Sequence, residues 1–281
     1  MTTLPTLAVT GSTGALGGLV ARDLAGRGVP LRLLARSPER APRLPGAVAV
    51  KAEYGDRDAA VQALLGVRTL LMVSASESED RLEQHRAFVD AAAAAGVEHI
   101  VYTSFFGAAA DCTFTLGRDH WATEQHIRSQ GTAFTFLRDN FYLDFLPATV
   151  GEDGVIRGPA GDGRVSAVSR ADIARVAVAV LLDPEAHRAA TYGLTGPESL
   201  TLAEAAGIIG DVTGRAVTFH DETVDEAYES RRRWEAPGWQ YDAWVSTYTA
   251  IAAGEVEAVT DDVRRVTGQA PIGLRELLTQ A

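Results

Sequence analysis

The chain has a single cysteine, Cys112. That excludes an internal disulfide and any metal site built on several thiolates. It has a single lysine, Lys51, so nearly all of its positive charge is arginine. No run of about eighteen apolar residues occurs, so no membrane span is expected. No basic segment followed by an apolar stretch opens the chain, so no secretory signal is expected and a cytoplasmic location follows. Positive charge is also scarce: 26 Lys and Arg face 37 Asp and Glu, a net charge of −11. Nucleic acid is therefore not an expected partner, because binding a phosphate backbone needs basic surface. The six histidines are scattered. His120 and His126 lack the i, i+4 spacing that places two ligands on one helix face, so no metal site is expected.

What is present is concentrated near the start. An apolar run, Leu4–Thr10, leads into GSTGALGG, then a helix-like stretch, then a second apolar run, Leu31–Ala35. Strand, glycine turn, helix and strand in that order form a dinucleotide-binding unit. Gly11 permits the turn, Gly14 admits a pyrophosphate close to the backbone, and Gly17 lets helix pack on strand. Ser12, Thr13, Ala15 and Leu16 complete the loop, and its free N–H groups face phosphate. The second strand ends at Arg36-Ser37, where an NAD-binding chain usually has an acidic residue for the ribose 2′-hydroxyl. A guanidinium there pairs with a 2′-phosphate. NADPH is the expected cofactor; the alternative is a solvated arginine.

Apolar runs then alternate with helical patterns. Strands are expected at Leu4–Thr10, Leu31–Ala35, Ala47–Lys51, Thr69–Val73, His99–Thr103 and Ala133–Leu137. Helices are expected at Ala15–Ala25, Asp58–Leu65, Arg81–Ala95 and Arg118–Ser129. The fold class is α/β, a Rossmann-type doubly wound parallel sheet with a smaller C-terminal substrate lobe. The expected division is 1–140 for the cofactor domain and 141–281 for the interleaved lobe. Ligands in such sheets lie beyond the carboxyl ends of the strands. That rim carries the glycine loop, Arg36, Tyr54, Ser74-Ala75-Ser76, Thr103-Ser104 and the segment Arg138–Tyr142.

The second half is less regular. Ser169–Asp172 has the form of a capping box, with Asp172 structural. Helices are expected at Thr201–Gly214 and Ile272–Gln280. Asp221, Glu222, Asp225 and Glu226 have the pattern of a solvated helix start. Three of the four tryptophans, Trp234, Trp239 and Trp244, cluster there with Tyr241 and Tyr248. Tyr241, Trp244 and Tyr248 share helical spacing. They form either a packing stripe or an aromatic lid, with Trp234 and Trp244 as candidate substrate contacts.

Several separate segments together resemble one family: the glycine loop, AEYGD (Ala52–Asp56), the stretch Ser74–Ser104, LRDNFY (Leu137–Tyr142) and AGDGRVSAVSRADIA (Ala160–Ala174). The chain resembles the NmrA-like atypical short-chain dehydrogenase/reductases, most nearly the quinone-reductase branch. The resemblance implies that Tyr54 lies near the adenine. It places Ser74, Ala75, Ser76, Thr103, Ser104 and Phe105 on the nicotinamide side, with Phe105 also a substrate contact beside Asn140, Phe141 and Tyr142 at the substrate pocket.

Ordinary short-chain dehydrogenases use a tyrosine and a lysine four residues later. Aligned on that pattern, this chain has Leu116 and His120, and its one lysine lies far upstream. Two proton routes stay open. Water can protonate a quinol anion, or His120 acts as the donor, given the pKa range of histidine. The alternative for His120 is a capping or solvated side chain. Ser104 falls near the usual catalytic serine; its alternative is a strand-end hydroxyl bonded to backbone. His85 and Glu124 are expected to make helix contacts, and nothing near Cys112 suggests activation. The implied activity is NADPH-dependent reduction of a quinone or a polycyclic aromatic ketone. The alternative is a non-catalytic NADP(H) sensor with a protein partner. Oligomeric state stays open, a homodimer included.

Overall fold

The structure is a computed structural model and describes residues 4–280. The outermost residues of the two expected domains, 1–3 and 281, lie outside it. The first strands and helices run β1 (Leu7–Thr10), α1 (Ala15–Gly26), β2 (Leu31–Ala35), β3 (Ala47–Lys51), α2 (Arg57–Leu64), β4 (Thr69–Met72), α3 (Arg81–Ala94), β5 (His99–Phe105), α4 (Thr115–Ser129) and β6 (Ala133–Asp139). There follow β7 (Val155–Gly158), β8 (Arg164–Val165), α5 (Arg170–Leu182), β9 (Ala190–Leu194), β10 (Leu200–Thr201), α6 (Leu202–Thr213), β11 (Thr218–Asp221), α7 (Val224–Arg231), α8 (Gly238–Ala252), α9 (Asp262–Thr267) and α10 (Leu274–Gln280).

Seven strands form one sheet in the order β3-β2-β1-β4-β5-β6-β9. The pairs β1–β2, β1–β4, β2–β3 and β4–β5 are parallel. The order reverses direction at β1, between β2 and β4. In open α/β sheets that switch point is where ligands bind. β2 and β5 are buried at every residue, as expected of inner strands covered on both faces. β3 is largely exposed, as befits an edge.

Two expected strands are longer than their apolar runs. β5 continues through Ser104 to Phe105, and β6 through Arg138 to Asp139. Ser104 and Arg138 are satisfied there by Glu124, whereas the buried Asp139 carboxyl has no hydrogen-bond partner. β4 is one residue shorter than expected, because the Val73 N–H turns to the Thr10 hydroxyl, 2.8 Å away. The helices at 201–214 and 272–280 form as Leu202–Thr213 and Leu274–Gln280. The first has a Thr201/Glu204 capping box and ends at Gly214 with φ of +68°.

The chain divides into two compact units. The first holds residues up to Ser104, Trp121–Arg138 and Ile173–Tyr192. The second holds Phe105–His120, Asp139–Asp172 and Gly193 onward. The division passes through β5, β6, β9, α4 and α5.

The first unit's core gathers Ala8, Leu34, Leu64, Leu70, Met72, Phe88, Ile100, Tyr102 and Phe136. Arg32, in the middle of β2, is also fully buried. It donates to the carbonyls of Ala63 (2.7 Å), Leu65 (2.9 Å) and Pro5 (3.0 Å), closing the C-terminal end of α2. In the second unit, β7 pairs in parallel with β11 and β8 antiparallel with β10. Ser169 caps α5: its hydroxyl accepts from the Asp172 N–H at 3.0 Å and donates to the Asp172 carboxylate at 2.7 Å. Asp172 also accepts the Ile272 N–H at 2.8 Å, a structural role.

Candidate cofactor and reaction site

The loop between β1 and α1 is shaped by its glycines. Gly11 has φ of +62°, in the left-handed region. The Gly14 N–H closes the turn on the Gly11 carbonyl at 2.9 Å. A Cβ on Gly17 would lie 2.6 Å from the Thr10 carbonyl oxygen, so no side chain fits there. Gly14 is the N-cap of α1, which has no side-chain cap and no acidic residue in its first turn. Its first N–H groups are therefore available to an anion. Ser12 is buried, and its Oγ has no hydrogen-bond partner. Thr13, Gly14 and Ala15 are exposed, while Leu16 packs inward. A polar atom without a partner beside a bare helix start fits a pyrophosphate. Arg36 is exposed and Ser37 half-buried just past the end of β2.

Tyr54 has its hydroxyl turned inward. It donates to the Val73 carbonyl at 2.6 Å and lies 2.6 Å from Thr10 Oγ1. Its ring stacks on Phe88 with centroids 4.2 Å apart. Burial raises its pKa. What Tyr54 can offer a ligand is thus ring surface and not the hydroxyl.

The segment after β4 is held by side chains at three backbone groups. The Ser74 N–H donates to Thr103 Oγ1 at 2.8 Å, and the Ala75 N–H to His85 Nε2 at 2.9 Å. Arg81 Nε donates to the Ala75 carbonyl at 3.0 Å. Because His85 Nε2 accepts, the ring's proton is on Nδ1, which faces Thr123 Oγ1 at 3.0 Å and the Tyr102 hydroxyl at 3.4 Å. Burial, and then the nearby Arg81 charge, push the His85 pKa well below the usual range, so the ring is neutral. His85 thus does more than contact a helix: it sets the backbone of a segment on the expected cofactor rim.

Ser104 is buried, and it does not bond to backbone. Its hydroxyl donates to Glu124 Oε1 at 2.6 Å. Arg138 grips the same carboxylate with Nε at 2.8 Å and Nη2 at 2.6 Å. The Glu124 side chain is 1% exposed. A lone glutamate in a helix carries no sequence signal for this. Only Arg138, the residue directly after the apolar run Ala133–Leu137 and half-buried in the structure, hints at a partner.

In the second unit, Phe105, Phe114 and Phe141 form a ring cluster with centroid separations of 4.8, 5.1 and 5.2 Å. His120 is buried beside Phe105 at 6.3 Å. One expected catalytic residue, His120, thus meets two expected substrate residues, Phe105 and Phe141, while Ser104, Tyr142, Trp234 and Trp244 make other contacts. The Asn140 amide is committed elsewhere, to Ser166 Oγ (2.9 Å), the Val256 carbonyl (3.0 Å) and the Phe141 N–H (2.8 Å). Its contribution is to aim Phe141. Tyr142 stacks on Phe145 at 6.1 Å, with Arg170 over both rings. Trp234 and Trp244 meet edge to face at 6.2 Å, with Tyr241 against Trp244 at 5.7 Å. Trp234 is 49% exposed. Tyr248 of the same stripe packs against Gly158.

One expectation is corrected. Asp221, Glu222, Asp225 and Glu226 do not form a uniformly solvated helix start. Glu222 is buried and pairs with Arg231 at 2.9 Å, and that guanidinium lies 5.0 Å over the Tyr248 ring. The other three are exposed, and Glu226 caps α7.

Fold and loop together define a Rossmann-type dinucleotide-binding protein. The chain matches the NmrA-like family over residues 4–230 and belongs to that family. It is 36% identical over 224 residues to quinone oxidoreductase 2 of Escherichia coli (strain K12), covering 76% of this chain and 77% of the relative. It is 31% identical over 266 residues to an NAD(P)H azoreductase of Xenophilus azovorans, covering 93% and 92%. Its structure is similar to the crystal structure of the Escherichia coli NADPH-dependent quinone oxidoreductase complexed with NADPH. There the TM-score is 0.89 at 30% identity, over 98% of this chain and 99% of that one.

Proposed function

We propose that the chain transfers hydride from NADPH to a quinone or an extended aromatic ketone. It is an NADPH-dependent oxidoreductase. The observation that carries the acceptor class is its 36% identity to a quinone oxidoreductase over 76% of its length. The cradle at Gly11–Gly17 and the bare start of α1 would hold the pyrophosphate. Arg36 and Ser37 would hold the 2′-phosphate, and the segment Ser74–Ser76, kept in place by His85 and Thr103, would border the nicotinamide. When bound, NADPH supplies the hydride.

The protein's part is mostly positioning. α4 offers no tyrosine or lysine, so no dedicated pair donates a proton in the usual way. A quinone accepts hydride without one, because its reduced anion takes a proton from water; correct placement then supplies most of the catalysis. Phe105, Phe114 and Phe141 offer flat apolar surface for such an acceptor. His120, beside Phe105, is the nearest candidate for a protein proton donor.

The experiment is NADPH consumption with simple quinones and, separately, with polycyclic aromatic ketones. Turnover with quinones establishes quinone reduction. Turnover with ketones alone makes it a ketoreductase and moves attention to His120. NADPH binding without turnover in either panel would overturn the enzyme reading and leave the sensor.

A further inference from the structure

Ser104, Glu124 and Arg138 form a closed set in the first unit. As the anion of an ion pair, Glu124 accepts hydrogen bonds and has none to donate. Arg138 occupies both carboxylate oxygens, and the Ser104 hydroxyl points at Oε1, 2.6 Å away. A serine has one proton and two lone pairs. Here the proton is committed to a carboxylate with 1% side-chain exposure. Withdrawing it would leave that buried charge short of a partner, at the cost of an unmet charged hydrogen bond. Only the lone pairs of Ser104 remain for anything else.

We propose that Ser104 acts on the bound ligand as a hydrogen-bond acceptor, with Glu124 as the positioning residue that enforces this polarity through Arg138. Ser104 would take a hydrogen bond from an N–H or O–H of the ligand: the carboxamide of the cofactor, or the hydroxyl of the reduced substrate. It would not protonate the substrate. Ser104 lies at the carboxyl end of β5, an inner strand beside β4, where ligands of such sheets collect. This inference rests on the NADPH-reductase reading above.

The test compares wild type, Ser104→Ala and Glu124→Gln. Dissociation constants come from fluorescence titration with NADPH and with its 3-acetylpyridine analogue, in which a methyl group replaces the carboxamide nitrogen. The same protein is titrated with a hydroquinone product. If the carboxamide is the donor, Ser104→Ala weakens NADPH by about three- to tenfold, the worth of one neutral hydrogen bond, and spares the analogue. If the reduced substrate is the donor, both cofactors bind as before and the hydroquinone weakens. In either case Glu124→Gln reduces the same discrimination, because a neutral amide accepts the hydroxyl proton more weakly and can turn its N–H2 toward Ser104 instead.

Equal weakening of both cofactors would make Ser104 merely structural and overturn the inference. So would unchanged affinities with a lower kcat, which is the behaviour of a proton donor. Unaltered discrimination in Glu124→Gln would remove Glu124 from the role. These titrations need no turnover, so an inactive but NADPH-binding wild type would overturn the reductase reading alone.

Discussion

Gly17 and Arg36 show two kinds of necessity at the level of single residues. Gly17 is required by space, since any Cβ meets the Thr10 carbonyl. On the proposed reading, Arg36 would be required by charge. It is exposed, and a guanidinium there suits the dianionic 2′-phosphate that distinguishes NADPH from NADH. Arg36→Ala is expected to weaken NADPH by about 1.5–3 kcal/mol, the range for a charged hydrogen bond, and to leave NADH almost unchanged. Titration of both cofactors measures it, and equal losses would take Arg36 out of the cofactor assignment. Ser12 makes the complementary point. Its oxygen is buried without a hydrogen-bond partner, and on the proposed reading a bound phosphate would supply one.

Elements are held here by buried charges as much as by apolar faces. Arg32 closes α2 without a carboxylate partner, because carbonyls at a helix end carry partial negative charge. Glu222 and Arg231 span α7, and the guanidinium covers Tyr248 of α8. Both charges are desolvated, so removing one strands the other. Glu222→Gln is expected to destabilise the protein by about 3–5 kcal/mol, read from urea unfolding, and the double variant with Arg231→Met should recover much of that. A loss below about 1 kcal/mol would show that water reaches the pair. The cluster was expected to be solvated because four carboxylates near a helix start usually are. Which one turned inward depended on Arg231, nine residues away, and no local pattern records that.

For the whole molecule the sum of buried titratable groups sets the response to pH. His85 and His99 both have pKa values lowered, chiefly by burial, then by Arg81 and Arg188 respectively. The unfolded chain binds protons at these sites near the ordinary value of 6.5 while the folded protein does not. Their contribution is therefore complete above about pH 6.5 and falls away as pH drops toward the folded values. Asp139 has the opposite sign. Burial raises its pKa well above 3.8, so its contribution is complete below that value and is lost as pH rises. In an Asp139→Asn background, which removes the opposing carboxyl, urea midpoints should decline from about pH 7 to about pH 5, with a smaller decline when His99→Gln is added. A flat profile would mean that the two rings are not held neutral. No helix among the described residues is long and apolar enough to cross a membrane.

The sequence by itself determined what depends on neighbours along the chain. The glycine loop, the order of strands and helices through β6, and Arg36 at the end of β2 all follow from local spacing, because turns, periodicity and caps are short-range. The family resemblance rests on the same local segments. Only the tertiary structure decided the partners of buried polar groups. The position of Ser104 at a strand end suggests a bond to backbone, but its hydroxyl meets Glu124 twenty residues on. His85 was assigned a helix contact, yet it holds the Ala75 N–H. Asn140, placed at a substrate pocket, spends its amide on Ser166 and on Val256, more than a hundred residues away. A buried polar atom must find a partner wherever the fold brings one, and that choice is made in space and leaves no period in the sequence.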